Sequence, residues 1–308
     1  MFFVLSGYLI TSLLFAEFEK TRSISLKNFY IRRVLRLGPA LALYLIASLA
    51  VTYHSQLISL TRQIWLIVIA LLYSTNWRMA LGWDSVMDPT SITWSLSIEE
   101  QFYLLWPLVM LKIVTGTPRR KLFAAVLWFA LWATIFVLLH VGRIMHFYAG
   151  LTVGCVLRLA FSDARIAASI RKIFSGRSAI AVGAVLAYIV IFEYRTSFLD
   201  PLICGLGLCA TLAEPNAWIG RMLEFSGLRW IGRLSYSLYI WQQLFLAFGV
   251  VFLPFGIFSR FPVNLATTVA VACLSYYLME RPMMRLGHDI AGGASGLKPI
   301  PCAQLETR

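Results

Sequence analysis

"TWSLSIEEQFYLLWPLVM", residues 93–110, runs from hydroxyl-bearing residues through two adjacent carboxylates, Glu99 and Glu100, into an apolar stretch. Acids at a helix N-terminus are stabilised by the helix dipole, so a charged first turn at a membrane surface accounts for the pair by itself. The flanking residues argue for more. Ser95 and Ser97 precede the acids and Tyr103 and Trp106 follow them, repeating polar groups on one side of a helix. Pro107 removes the backbone hydrogen bond to the Tyr103 carbonyl. An ionisable group inside a membrane is expensive without a partner, so at least one glutamate is expected to face a polar cavity.

The rest of the chain has the same apolar character. Its 308 residues are 59% hydrophobic and 13% charged, against about 25% charged in a soluble domain, and its mean hydropathy is +0.76. These values identify an integral membrane protein. The formal charge of +13 arises from 27 Lys and Arg against 14 acids. The basic residues cluster in short links between apolar runs, where the positive-inside rule places them, which favours lipid headgroups over nucleic acid as their surroundings. Cys155, Cys204, Cys209, Cys273 and Cys302 form no CxxC pair and read as packing residues.

Ten apolar segments follow, near 1–15, 34–53, 63–74, 98–115, 121–140, 146–161, 178–194, 200–213, 233–253 and 262–280. Basic clusters at 20–36, 112–121, 158–177, 221–233 and 281–285 are expected to be cytoplasmic. An even number of crossings must separate successive clusters, yet three segments lie between the first two. One of them should therefore not cross, and the short 63–74 run is the candidate, as a re-entrant or interfacial segment lining a cavity. The expected fold is all-α: a polytopic transmembrane helix bundle of about nine crossings plus that segment, over residues 1–290, with a disordered tail at 291–308. The first run is shorter than the roughly 20 residues of a spanning helix and has no basic segment before it, so the chain reads as truncated at its N-terminus.

Three further stretches are candidates. In "KNFYIRRVLRLGPALALYL", residues 27–45, Arg32, Arg33 and Arg36 share roughly one helical side. They are either an inside-positive anchor or a site for the phosphates of a cytoplasmic substrate. In "LRWIGRLSYSLYIWQQLFLAF", residues 228–248, Ser235, Tyr239 and Gln242 form a polar stripe, with Tyr236 and Gln243 beside it, which either bonds a neighbouring helix or lines a cavity. "YYLMERPMMRLG", residues 276–287, reads as an interfacial helix stop, with Glu280 and Arg281 as an ion-pair anchor before Pro282. His54, His140 and His146 fall at span ends and His288 beyond the last span. No HExxH, Walker A or GxSxG motif is present, so no metal site and no hydrolysis by those devices is expected.

Together these stretches resemble the acyltransferase 3 family of membrane enzymes, which transfer acyl groups, commonly acetyl, onto sugars of bacterial surface polysaccharides. The resemblance is carried by "FFVLSGYLITSLL" at 2–14, "FYIRRVLRLGPAL" at 29–41, "WSLSIEEQFYLLWPLVM" at 94–110, "WIGRLSYSLYIW" at 230–241 and "SYYLMERPMMRLG" at 275–287, in the family's order. It implies a ten-helix core with both ends in the cytoplasm, in which "FFVLSGYLI" belongs to the second helix and a basic residue and a histidine precede it. It also implies an acyl-CoA co-substrate whose phosphates Arg32, Arg33 and Arg36 would hold, and no bound cofactor. Glu99 and Glu100, the latter slightly favoured, resemble the family's acidic pair. Ser97, Tyr103, Tyr236, Tyr239 and Gln242 would line the acceptor cavity. Gln242 stands where the family often has histidine, and glutamine does not titrate near neutrality, which excludes acid/base work there. The expected function is O-acyl transfer to a cell-surface polysaccharide, glycan or glycolipid in the bacterial inner membrane, with the C-terminus cytoplasmic and the bilayer, acyl-CoA and acceptor as partners. An inactive relic or partner subunit and a transporter-like protein are the alternatives.

Overall fold

The computed structural model describes residues 1–293 apart from 57, 84–87, 139–141, 192–198, 215–217, 248–255 and 259. The described residues form helices and turns, with no strand among them. In chain order the helices are α1 (Phe2–Thr21), α2 (Leu26–Ser55), α3 (Leu60–Leu71), α4 (Thr75–Ala80), α5 (Thr93–Ile113), α6 (Pro118–Leu138), α7 (Gly142–Phe161), α8 (Ala164–Phe174), α9 (Ser178–Ile191), α10 (Asp200–Ala213), α11 (Trp218–Leu223), α12 (Ser226–Gln242), α13 (Val263–Ser275) and α14 (Arg281–Gly293). A 3₁₀ turn, Pro89–Ile92, precedes α5, and π-turns extend α12 over Gln243–Ala247 and join α13 to α14 over Tyr276–Glu280. Among the described residues three helical stretches are long and apolar enough to cross a membrane: Phe2–Thr21, Leu26–Ser55 and Val263–Ala291.

Helix α3 has 12 residues, about 18 Å of rise, against a hydrocarbon core of about 30 Å. Helix α5 begins earlier than its apolar run, at Thr93, so Ser95 and Ser97 are helical. The sharpest difference from expectation is at "MERP". The helix does not stop at Glu280 and Arg281 but continues to Gly293, with His288 on it. Pro282 is tolerated because the π-turn before it widens the backbone where its ring would meet the carbonyl of the preceding turn. Residues 291–293 continue that helix, and the rest of the expected tail lies outside the described residues, as does Cys302. Helix α8 had no counterpart among the apolar runs, because its apolar residues recur at helical spacing among basic ones. Asp163 caps it, accepting hydrogen bonds from the Arg165 and Ile166 amides at 2.9 and 3.3 Å.

The chain divides into two compact units, Met1–Ile24 with Asn76–Ser85 and Trp94–Arg229, and Ser25–Thr75 with Val86–Thr93 and Trp230–Arg308. In the first, α1, α5 and α7 run parallel. Phe3 packs on Trp94 and Phe147 near their N-terminal ends, Ser6 reaches Glu99, and Thr11 reaches Trp106. Each ends on a basic residue in its last turn: Lys20, Lys112 and Arg158. Helix α6 runs antiparallel to α7, with Trp132 on Tyr148 and both Lys121 and Arg158 over the Phe15 ring.

Glycine sets the α1–α7 spacing. A Cβ on Gly7 would strike the Leu151 carbonyl, and one on Gly154 the Val4 carbonyl, so the two backbones nearly touch. Gly150 and Gly154 form a small-xxx-small step of the kind that lets membrane helices approach closely. In the second unit α14 lies along α2, with the Asn28 side chain donating to the Ala291 carbonyl at 3.2 Å. Gln63 of α3 donates to Ser48 of α2 at 3.2 Å.

Candidate active site

Helix α5 is buried all round over residues 95–99, which include Ser95, Ser97 and Glu99, and further along it buries Phe102, Tyr103 and Trp106. Glu99 is 6% exposed and Tyr103 3%. The Ser6 hydroxyl donates to Glu99 Oε1 and lies against the Tyr103 hydroxyl, which itself donates to Glu99 Oε1 at 3.2 Å. One carboxylate oxygen thus gathers two hydroxyls, one from its own helix at i+4 and one from α1. Ser6 is in place because its neighbour Gly7 lets α1 press against α7. One turn further on, Trp106 Nε1 donates to Thr11 Oγ1 at 3.0 Å, and Thr11 donates to the Gly7 carbonyl at 2.8 Å. The same carbonyl accepts from Cys155 Sγ at 3.4 Å.

The two adjacent glutamates separate. Successive helical residues lie about 100° apart around the axis, so Glu99 is buried among the hydroxyls while Glu100 is half-buried. On the neighbouring side Gln101 and Asn76 exchange paired amide hydrogen bonds at 3.1 and 3.2 Å. Tyr148 donates to Gln101 Oε1 at 2.5 Å and stacks on Trp132 with centroids 4.9 Å apart. Above this network the half-buried rings of Phe3, Trp94 and Phe147 form a triangle with centroids 4.7 to 6.2 Å apart. The buried Glu99 carboxylate thus sits with two hydroxyls, the Gln101–Asn76 amide pair lies beside it, and the aromatic rings stand at the end of the network.

The remaining predicted residues belong to the second unit. Arg32 and Arg33 are half-buried and Arg36 exposed on α2. Gly287 of α14 lies against Arg32 and Leu35. Tyr236 donates to the Leu37 carbonyl at 2.9 Å and Tyr239 to the Ile92 carbonyl at 2.8 Å, while Gln243 donates to Ser91 Oγ at 3.2 Å. With Tyr44, which donates to the Pro89 carbonyl, these side chains clamp the 3₁₀ turn. The polar stripe of α12 is therefore shifted from the expected one. Tyr236, Tyr239 and Gln243 bond neighbouring elements, Gln242 is half-buried, and Ser235 is exposed.

The acyltransferase domain family Acyl_transf_3 matches residues 1–280. The chain belongs to the acyltransferase 3 family. Among its relatives, the peptidoglycan O-acetyltransferase OatA of Listeria monocytogenes is 29% identical over 318 residues, covering 93% of this chain and 51% of the relative. The putative peptidoglycan O-acetyltransferase YrhL of Bacillus subtilis is 27% identical, covering 93% and 50%. A putative O-acetyltransferase of Staphylococcus aureus strain COL is 28% identical, covering 93% and 52%. The chain spans about half the length of these relatives. No solved structure matches it.

Several residues of this cluster were not singled out from the sequence. Ser6 lies in an apolar run and only the α1–α5 contact reveals it. Asn76, Gln101 and Tyr148 come from three separate helices. The step Gly150–Gly154 was a readable signal for the close approach that seats Ser6. Among the described residues no group of three or more His, Cys, Asp or Glu side chains is arranged to hold a metal. His140 lies outside the described residues.

Proposed function

We propose that the full-length protein transfers an acyl group, acetyl by analogy with the named relatives, from acetyl-CoA on the cytoplasmic side to hydroxyls of a cell-surface glycan. The observation that carries this reading is the buried Glu99 carboxylate holding the Ser6 and Tyr103 hydroxyls, in a family whose relatives here are named O-acetyltransferases. Glu99 orients the acceptor hydroxyl by accepting its hydrogen bond, and Tyr103 and Ser6 fix the carboxylate. A group held this way enters the reaction without the cost of reorganising water. Arg32, Arg33 and Arg36 bind the donor's phosphates through charge-assisted hydrogen bonds.

This division of labour calls for about nine crossings in the bacterial inner membrane, α3 as the segment that does not cross, and a cytoplasmic C-terminus. The basic last turns of α1, α5 and α7 support a cytoplasmic position for those ends. The aromatic triangle and Glu99 then lie toward the outer side, where a surface glycan is met. The test is transfer in vesicles holding the purified full-length protein, with labelled acetyl-CoA on the cytoplasmic face and glycan on the other. Alkali-labile label on the glycan is expected. Absence of both transfer and acetyl-CoA hydrolysis refutes the reading.

A further inference from the structure

Helix α6 carries a groove that the proposed reaction does not use. The groove is an open cavity of about 480 Å³, with Arg120 at one end, Phe123, Leu127 and Leu131 along it, and Ile113 of α5 and Trp128 in its walls. The spacing of residues 120, 123, 127 and 131 places them on one face of the helix. Phe123, Leu127 and Leu131 are exposed there. Trp128 is half-buried and packs on Phe102 and Trp106 of α5, both fully buried, with centroids 6.4 and 6.3 Å away, so the core fixes that wall. From Arg120 to Leu131 the helix rises about 16 Å, half of a hydrocarbon core of about 30 Å. The groove therefore has the depth of one leaflet.

Its polar end is cationic. Arg120 is exposed, and its stem lies on Gly116 in the α5–α6 turn, where an added Cβ would be 3.1 Å from Arg120 Cδ. Lys112, beside Ile113 in the last turn of α5, is exposed too. No acid occurs in the sequence between Glu100 and Asp163, so neither α6 nor its turn brings a carboxylate to offset these charges. A cation at headgroup depth above a leaflet's length of apolar surface matches a phospholipid of net negative charge. Guanidinium binds phosphate bidentately, and anionic lipids attract basic segments at the cytoplasmic face. We propose that this groove binds one anionic phospholipid of the cytoplasmic leaflet, its phosphate on Arg120 and one acyl chain along Phe123, Leu127 and Leu131. The choice of leaflet rests on the orientation proposed above, with α6 as one of the crossings; the groove itself uses no residue of the donor or acceptor sites.

The experiment is titration of the purified full-length protein in neutral detergent with dioleoyl phosphatidylglycerol and, separately, dioleoyl phosphatidylcholine, with bound lipid counted by native mass spectrometry. The first phosphatidylglycerol is expected to bind about tenfold tighter than phosphatidylcholine, whose choline cancels the phosphate charge. Arg120→Gln is expected to abolish that preference. Leu127→Trp, which fills the groove, is expected to weaken both lipids about tenfold. Val126→Trp, exposed but outside the groove, and Lys20→Gln, at the basic end of α1, are expected to change neither. A preference kept in Arg120→Gln, or lost equally in Lys20→Gln, overturns the proposal, because the attraction is then to basic charge at large. Unchanged lipid binding in Leu127→Trp also overturns it, and a fall in mass from dimer to monomer in that variant makes a second copy of the chain the occupant. If Leu127→Trp does not accumulate, Arg120→Gln and Lys20→Gln, both at exposed positions, decide the matter. Detergent has no sides, so these outcomes judge the groove whichever way α6 faces, and only the leaflet falls with the orientation.

Discussion

Replacing Gly7 with alanine adds one methyl group where α1 meets α7. An ideal Cβ there would lie 2.8 Å from the Leu151 carbonyl carbon and 3.0 Å from its Cα, and nearer still to the oxygen. Carbon atoms in contact sit about 3.5–4.0 Å apart, so the helices must separate by roughly 1 Å. Forcing one methyl into a packed contact costs about 1–3 kcal/mol. The neighbouring Ser6 moves with the helix, and a shift of about 1 Å in a group that positions substrate costs on the order of a hundredfold in rate. The expected result for Gly7→Ala in detergent is a melting temperature lower by at least ~2 °C and transfer activity reduced at least ~10-fold. Gly183→Ala is the matched control, since a Cβ there meets nothing within 4 Å, and glycine to alanine in an open helix stabilises by about 0.5–1 kcal/mol. If Gly7→Ala melts and transfers like Gly183→Ala, the glycine contact does not set the position of Ser6.

Trp106→Phe retains an aromatic ring beside Phe102 but deletes the bond from Nε1 to Thr11, and is expected to cost about 1 kcal/mol in thermal stability. Tyr239→Phe leaves the Ile92 carbonyl without this donor and is expected to cost about 1–3 kcal/mol, while Ser235→Ala, at an exposed position, is neutral in the same melt. Arg32→Gln combined with Arg33→Gln is expected to weaken acetyl-CoA binding about tenfold or more with accumulation in the membrane unchanged.

The sequence made the class of fold readable because apolar runs and basic links obey strong rules. Arg32, Arg33 and Arg36 fell on one helix as their spacing required, and the acids fell on α5 as expected. What the sequence lacked was rotation. Glu99 and Glu100 are chemically alike and adjacent, and the choice between them depends on which face of α5 receives Ser6, a contact 93 residues away in sequence. On α12 the sequence left the packing face open for a related reason. Hydroxyl spacing at Ser235, Tyr239 and Gln242 fits a helical face, but the face that packs is set by the 3₁₀ turn and by α2, and it selects Tyr236, Tyr239 and Gln243. The π-turn at Glu280 has no local signature at all. "MERP" reads as a helix end because proline ordinarily ends helices, and only a widened turn lets the helix continue. Helix α8 was passed over because its amphipathic pattern lowers the average hydropathy that marks a span.

Whether Glu99 or Glu100 serves the proposed reaction is decided by acetyl transfer from acetyl-CoA, measured side by side in full-length Glu99→Gln and Glu100→Gln proteins. Transfer is expected to be lost in Glu99→Gln with donor binding intact, and to fall far less in Glu100→Gln. Transfer retained in Glu99→Gln, or lost only in Glu100→Gln, would contradict the role proposed for Glu99.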